Sequence, residues 1–353
     1  MIYFIIRRLG YGLLVVLGVI IVIFLLFYVL PGDPVSTIMG GKGDKETRDA
    51  ITRDLGLDKP LMIQLAYYLN DLSPLGIHGT AESIRKKYNY TPLFSVGEDR
   101  VLVLKNPYMG RSYLSNRRVD EILLEDIEGT LILAIVSMFL ATSIGIIFGI
   151  IAALRQNTWI DYSLVTLSVL GISTPSFVLA IIISIIFGFY LAEYTGLNIT
   201  GSLWELNPFS GKRELYLKNL ILPTVTLSLR PLSIIVQLTR SSMLDVLSQD
   251  YIRTARAKGL LFYQIVIKHA LKNALNPVIT AVSGWLASLM AGAFFIEYIF
   301  NWKGLGRTTI QAVQNLDMPI VMGATILIAF IFVIINIIVD ILYAMIDPRV
   351  RLH

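Results

Sequence analysis

The residues of this chain that could carry chemistry are few and poorly placed for catalysis. Its three histidines, His78, His269 and His353, lie far apart with no metal-ligand spacing, and there is no cysteine to serve as nucleophile, ligand or disulfide partner. No Gly-x-Ser-x-Gly elbow marks a hydrolase, and no Gly-x-x-x-x-Gly-Lys-Ser/Thr loop is present to cradle a nucleotide. The glycine-rich Gly40-Gly41-Lys42-Gly43 lacks the following hydroxyl and reads as a flexible turn. What stands out instead is a polar, basic stretch, Ser248 to Pro277, inside a chain that is otherwise mostly apolar. By charge alone, such a stretch reads as an amphipathic connector able to lie on anionic headgroups.

The elements that position those residues are legible. Ser248 reads as an N-cap, Asp250 complements the positive end of a helix, and Gly259 stands where a left-handed residue would close it. A second helix follows, with Gln264, Lys268 and Lys272 as a polar stripe and Leu261, Ile265, Leu271 and Leu275 among its apolar positions. Two short helices thus meet at a glycine bend.

The surrounding chain is membrane protein by composition. Of its residues 55% are hydrophobic and 16% charged, with a mean hydropathy of +0.68, outside the range of soluble globular domains. An isoelectric point near 9.2 could point to nucleic acid, but in a multi-span chain it is first explained by orientation in the bilayer. Residues 1–30 read as an uncleaved anchor, since the uncharged run after Arg7 and Arg8 is too long for a signal peptide and no cleavage site precedes Pro31-Gly32-Asp33-Pro34. Five further apolar runs follow, at about 130–154, 162–192, 219–239, 277–296 and 318–345. The expected architecture is therefore an all-α membrane protein of six transmembrane helices.

Charge gives the orientation. Arg7, Arg8, Arg155, Arg240, Arg253, Arg256, Lys258, Lys268, Lys272, Arg349 and Arg351 fall in short segments on one side, against Lys212, Arg213, Lys218, Lys303 and Arg307 on the other. This asymmetry places both termini and the Ser248 loop in the cytoplasm.

Between the first two spans, residues 31–126 read as a folded extracytoplasmic region. Asp44 is positioned to cap a helix that closes at Gly56, and Pro60 to open another with Leu61, Leu65, Tyr68, Leu69 and Leu72 on one face. Alternating runs from Tyr90 to Val96 and Val101 to Lys105 flank Gly97-Glu98-Asp99-Arg100, which predicts a hairpin.

The loop sequence DYIRTARAKGL followed by HALKNALNPVIT resembles the cytoplasmic loop of ABC importer permeases of the dipeptide and oligopeptide type. Where that loop generally carries Glu-Ala-Ala before its glycine, this chain has Arg253, Thr254 and Ala255, and its proline comes late, at Pro277; both departures are usual in the peptide-transporter branch. Leu55-Gly56-Leu57-Asp58-Lys59-Pro60, Met109-Gly110-Arg111-Ser112, Glu297, Trp302-Lys303-Gly304-Leu305-Gly306-Arg307, Asp317-Met318-Pro319, Asn336, Asp340 and Asp347-Pro348-Arg349 extend the resemblance along nearly the whole chain. About 74–106 exceeds the family pattern and reads as a mixed α/β insertion, either decorative or in contact with a substrate-delivering protein.

The resemblance implies a type I importer permease with a core at 127–353 and a coupling loop at 241–277. In this picture Asp250, Arg253, Thr254, Ala255, Lys258 and Gly259 form the surface that docks on a cytoplasmic ATPase. It also implies a second permease subunit, related but not identical, two ATPase subunits that hold ATP and Mg, and an extracytoplasmic solute-binding protein. The chain itself would bind no cofactor, and its seat would be the bacterial inner membrane.

Arg230, Pro175 and Ser176 are the candidates for the translocation path. Arg230 falls mid-span beside Pro231, where a buried arginine costs roughly 2.5 to 3.5 kcal/mol, so a cavity or partner charge is expected for it. Pro175 and Pro231 each remove a backbone donor and can kink a span. Glu297 and Asp340 are expected at helix ends in contact with water. An ion-gradient-driven transporter is the competing reading, and it would need several intramembrane acids.

Overall fold

A segment surrounded by hydrocarbon has no water to bond its amides, so long apolar stretches close their hydrogen bonds on themselves as helices. The computed structural model describes residues 2–29, 34–39, 44–97, 99–207 and 210–346, and helices dominate them. The expected turn at Gly40-Gly41-Lys42-Gly43, Pro31-Gly32-Asp33, Glu98 of the hairpin turn and Asp347-Pro348-Arg349 lie outside the described residues.

Among the described residues four helices are long and apolar enough to cross a membrane: Ile6–Phe27, Val119–Leu154, Lys218–Leu247 and Met318–Ile341. The run expected at 162–192 is not one straight span. It is the pair Trp159–Ser173 and Ser176–Tyr190, bent by 110°. The cause is Pro175, which has no amide hydrogen to continue the helix and holds Thr174 before it in an extended conformation at ψ 133°. The run expected at 277–296 is the 17-residue helix Asn276–Gly292, separated by Ala293 from the short helix Phe294–Ile299.

The chain divides into two units. The first comprises Met1–Gly10, Ile127–Arg307 and Ile331–His353, and its hub is Lys218–Leu247. Trp159–Ser173, Ser176–Ile185 and Asn276–Gly292 all pack on this helix. The approach of its neighbours is close because glycines stand at the crossings. A Cβ on Gly145 would come within 2.7 Å of the Ile235 side chain, and one on Gly149 within 2.4 Å of Thr239. Some hydroxyls of the hub bond to its own backbone, Thr226 donating to the Leu222 carbonyl at 2.8 Å and Ser233 to that of Leu229 at 2.9 Å, whereas the buried hydroxyls of Thr224 and Thr239 have no partner among the described residues. The hub helix continues through Pro223 and Pro231, both buried.

The second unit comprises Tyr11–Asp126 and Thr308–Phe330. Asp44 caps Lys45–Asp54 as expected, its Oδ1 accepting from the Thr47 amide at 2.9 Å, and the helix closes at Gly56 with φ +67°. Leu61–Leu72 starts at Pro60 and puts Tyr68, Leu69 and Leu72 against Val16, Ile20, Met109 and Ile326. The expected hairpin is present as β2 (Thr91–Ser95) paired antiparallel with β3 (Arg100–Leu104). Its other edge carries an unforeseen strand, β1 (Leu75–Gly79), giving the order β1-β3-β2, with helix Glu82–Tyr88 between β1 and β2.

His78 on β1 is buried against the Tyr88 ring, centroids 4.1 Å apart, with Tyr90 at 6.3 Å. Lys105 lies beside it, donating to the Asp71 carbonyl. Burial, reinforced by the Lys105 and Lys87 charges, pushes the imidazole down to about 4. An unfolded histidine titrates at about 6.5, so between those values the unfolded chain binds more protons here and stability rises with pH. The contribution of His78 is therefore complete above about pH 6.5 and is lost as pH falls toward 4. Burial raises the Asp71 carboxyl, which acts in the opposite sense. In thermal unfolding of the detergent-solubilised protein at a series of pH values, His78→Phe is expected to flatten the fall in melting temperature between about pH 6.5 and 4. An unchanged slope would contradict this assignment.

Candidate functional site

The loop is built where the hub helix ends. Ser248 does not cap the next helix as expected. The hub continues to Leu247, which leaves Ser248 in a right-handed conformation with its hydroxyl donating to the Asp245 carbonyl at 2.8 Å. The extended residue that starts helix Asp250–Ala257 is Gln249, and no side chain caps it. Asp250 occupies the first turn and pairs with Arg253 at 3.3 Å, while the Thr254 hydroxyl donates to the Asp250 carbonyl at 3.0 Å. The other end closes as the sequence predicts. Gly259 has φ +76°, its amide donates to the Arg256 carbonyl at 3.0 Å, and the Leu260 amide reaches Ala255 at 3.4 Å, the bond pattern of a Schellman turn.

The second helix starts at Phe262 and is α-helical only at its ends, Phe262–Gln264 and Lys272–Ala274. Between them Ile265–Leu271 is wound with i→i+5 bonds. The buried face of this segment is Ile265, Val266, Ala270 and Ala274, while Leu261 stands before the helix in an extended conformation and is exposed.

One cluster fixes the loop to the body of its unit. Ile252 and Ala255 pack with Ala153, Met243, Ile265, Val266, Ala270 and Ala274, and with the partly buried Ile150 and Leu247. Of the six loop residues singled out in the sequence, Ala255 therefore faces inward. Asp250, Arg253, Thr254, Lys258 and Gly259 face outward together. Tyr251, Leu260, Leu261, Phe262, Tyr263 and Ile267 are exposed around them as an apolar rim, of which the sequence reading placed only Leu261, among the apolar positions of the second helix. Its signal was the uninterrupted Leu260-Leu261-Phe262-Tyr263 directly after the glycine.

Arg230 is exposed on the hub helix, with no hydrogen bond or ion pair among the described residues. Further along the same helix a cavity of about 510 Å³ is lined by Val165, Ile234, Gln237, Leu238, Arg240 and Ser241. Arg230, Pro175 and Ser176 are not in its wall; Pro175 and Ser176 stand at the 110° break. Arg240 makes an unforeseen two-pronged pair with Asp161, both contacts at 2.6 Å, and Asp161, only 1% exposed, also accepts from the Asn157 amide at 3.0 Å. Opposite charges at facing ends of two consecutive apolar runs were the available signal.

The acids expected in water are not simply solvated. Glu297 is fully buried, its Oε2 accepting from the amides of Gly306 at 2.7 Å and Arg307 at 3.3 Å at the start of helix Leu305–Gln314. A Cβ on Gly304 would stand 2.5 Å from that carboxylate. The same turn is held by Trp302 Nε1 donating to the Gly129 carbonyl at 2.9 Å and by the Leu305 amide on Thr130 Oγ1 at 2.8 Å. Asp340 pairs with Arg8 at 2.8 Å. In the other unit, Asp317 accepts from the Ser112 hydroxyl and, at 3.1 Å, from the Tyr113 amide, joining two of the sequence markers.

Known proteins resemble this chain along its length. Residues 145–352 match the family described as binding-protein-dependent transport system inner membrane component, and residues 1–75 match the N-terminal family of the same transport-system membrane components. A Brucella abortus (strain 2308) protein named as a peptide transport system permease is 36% identical over 348 residues, 98% of each chain. The dipeptide transport system permease protein DppB of Escherichia coli (strain K12) is 34% identical over 370 residues, 99% of each chain. Among solved structures, a chain of the inward-facing MetNI methionine ABC transporter superposes with a TM-score of 0.52 at 18% identity, covering 64% of this chain and 97% of that one. This last likeness is one of fold.

The Asp161–Arg240 pair gives a test of the local geometry. Removing one partner of a buried pair strands the other, at a cost of about 3 kcal/mol. Asp161→Asn is expected to lose that much in detergent-based unfolding, with Asp161→Asn/Arg240→Gln losing less than the sum of the single changes. Strict additivity would show that the two side chains are not coupled.

Proposed function

Because this chain belongs to the inner membrane components of binding-protein-dependent transport systems, we propose that it is the permease subunit of an ATP-driven importer whose cargo is di- and oligopeptides. The observation that carries the coupling part of this reading is the loop. A helix anchored through Ile252 and Ala255 presents Asp250, Arg253, Thr254, Lys258 and the Gly259 bend outward, ringed by exposed apolar side chains. That is a surface suited to a groove on another protein.

In the proposed assembly two cytoplasmic ATPase subunits bind ATP and Mg, and this chain binds no cofactor. A second permease subunit, related but not identical, supplies the other half of the pathway. A solute-binding protein delivers cargo at the outer face, and no nucleic acid is involved. Six spans hold the chain in the bacterial inner membrane with both termini in the cytoplasm, the bent pair and Asn276–Gly292 each counting as one. Movement of the ATPases pulls on helix Asp250–Ala257, and the cluster around Met243 passes it to the ends of Val119–Leu154 and Lys218–Leu247. Arg230, Pro175 and Ser176 belong to the path that then opens, the Pro175 break acting as its pivot. An ion-gradient mechanism has less to work with, since Asp161 and Asp340 are each paired with an arginine and Glu297 caps a helix.

Gly259 separates coupling from packing. A Cβ there would meet nothing within 4 Å, so only its left-handed backbone resists substitution. Gly259→Val is expected to cut binding-protein-stimulated ATP hydrolysis by the assembled transporter about tenfold, whereas Gly259→Asn, which tolerates that conformation, retains most of it. Normal coupled hydrolysis in the valine variant would refute the assignment of this loop.

A further inference from the structure

Arg230 poses a problem that the rest of the molecule does not solve. It lies about 18 Å along the axis from the start of helix Lys218–Leu247 and further still from its end, near the middle of the apolar run 219–239. The side chain is nevertheless exposed and has no partner among the described residues. The surface of the hub on which it stands therefore cannot be a lipid-facing one.

The same surface has a polar character of its own. Ile234, Gln237 and Ser241 follow Arg230 at four, seven and eleven residues, which places them on one helix face, and all three line the 510 Å³ cavity. Arg240 in that cavity wall is already answered by Asp161. The next acid along the face, Asp245, is about four turns away from Arg230. The face thus presents one unanswered cation above amide and hydroxyl groups that can exchange hydrogen bonds with a passing solute.

We propose that Arg230 reads the charge of the cargo: its guanidinium pairs with a free carboxylate on the solute as it passes along this face. A planar fork matched to a carboxylate is what distinguishes arginine from lysine here. This inference rests on the importer reading given above and adds to it a solute class, one that carries a carboxylate.

The test uses the complete transporter in vesicles, with ATP on the ATPase side and binding protein loaded to equal occupancy with labelled dialanine or its C-terminal amide. Arg230→Gln is expected to slow uptake of the free acid roughly tenfold and of the amide less than twofold, with Arg230→Lys in between for the acid. Equal effects on acid and amide, or none on either, would overturn the proposal. So would loss of the second permease subunit from the purified Arg230→Gln complex, which would show that Arg230 answers a carboxylate of that subunit instead. If the wild-type complex imports neither compound with ATP, the peptide-importer reading fails first and this inference falls with it.

Discussion

An ionisable group carried into an apolar helix has to be answered by an opposite charge, by hydrogen bonds or by water, and this constraint orders much of the chain. Asp161 and Arg240 answer each other at the end of the hub helix. Arg8 and Asp340 do so between the first and last helices. Glu297 is answered by backbone amides at the start of Leu305–Gln314, and the glycines of that turn leave room for its carboxylate. Once these are accounted for, Arg230 stands apart, exposed and without a partner among the described residues.

The second requirement is stiffness between the loop and the helices. A short helix at the membrane surface can transmit motion only if it moves with the spans beneath it. In the proposed coupling, the packed cluster of Ile252, Ala255, Met243, Val266, Ala270 and Ala274 would supply that link, its small alanines letting the helices approach closely. The outward residues of the same helix are left free of internal packing. One face of eight residues is thus committed to the permease and the other is available to a partner.

Much of this was legible because local rules govern it. Asp44, Gly56, Pro60 and Gly259 act within a few residues of themselves, through caps and a backbone conformation that glycine adopts readily, and each appears where the sequence places it. The features that escaped depend on distant groups. Strand β1 is defined by β3, twenty-odd residues later, and Leu75-Gly76-Ile77-His78-Gly79 has little strand character by itself. Ser248 could cap the next helix only with an extended backbone, but it is held right-handed as the residue that closes the hub helix, and Gln249 takes the extended position. The i→i+5 winding at Ile265–Leu271 breaks the period on which the polar stripe was built. Glu297 was expected in water because its amide partners lie in the following turn. Among the path candidates, the Pro175 break is a local effect, whereas the cavity wall and the Asp161–Arg240 pair come from separate segments.

The central claim is that this chain works as one subunit of an ATP-driven importer, and its most direct test is gentle detergent purification of the tagged protein from its native host. Co-purifying chains would be identified by mass and the preparation assayed for ATP hydrolysis. The account predicts recovery of cytoplasmic ATPase subunits together with a second multi-span permease, and hydrolysis that rises when loaded binding protein is added. A protein that purifies alone and still transports solute when reconstituted with an ion gradient and no ATP would contradict it.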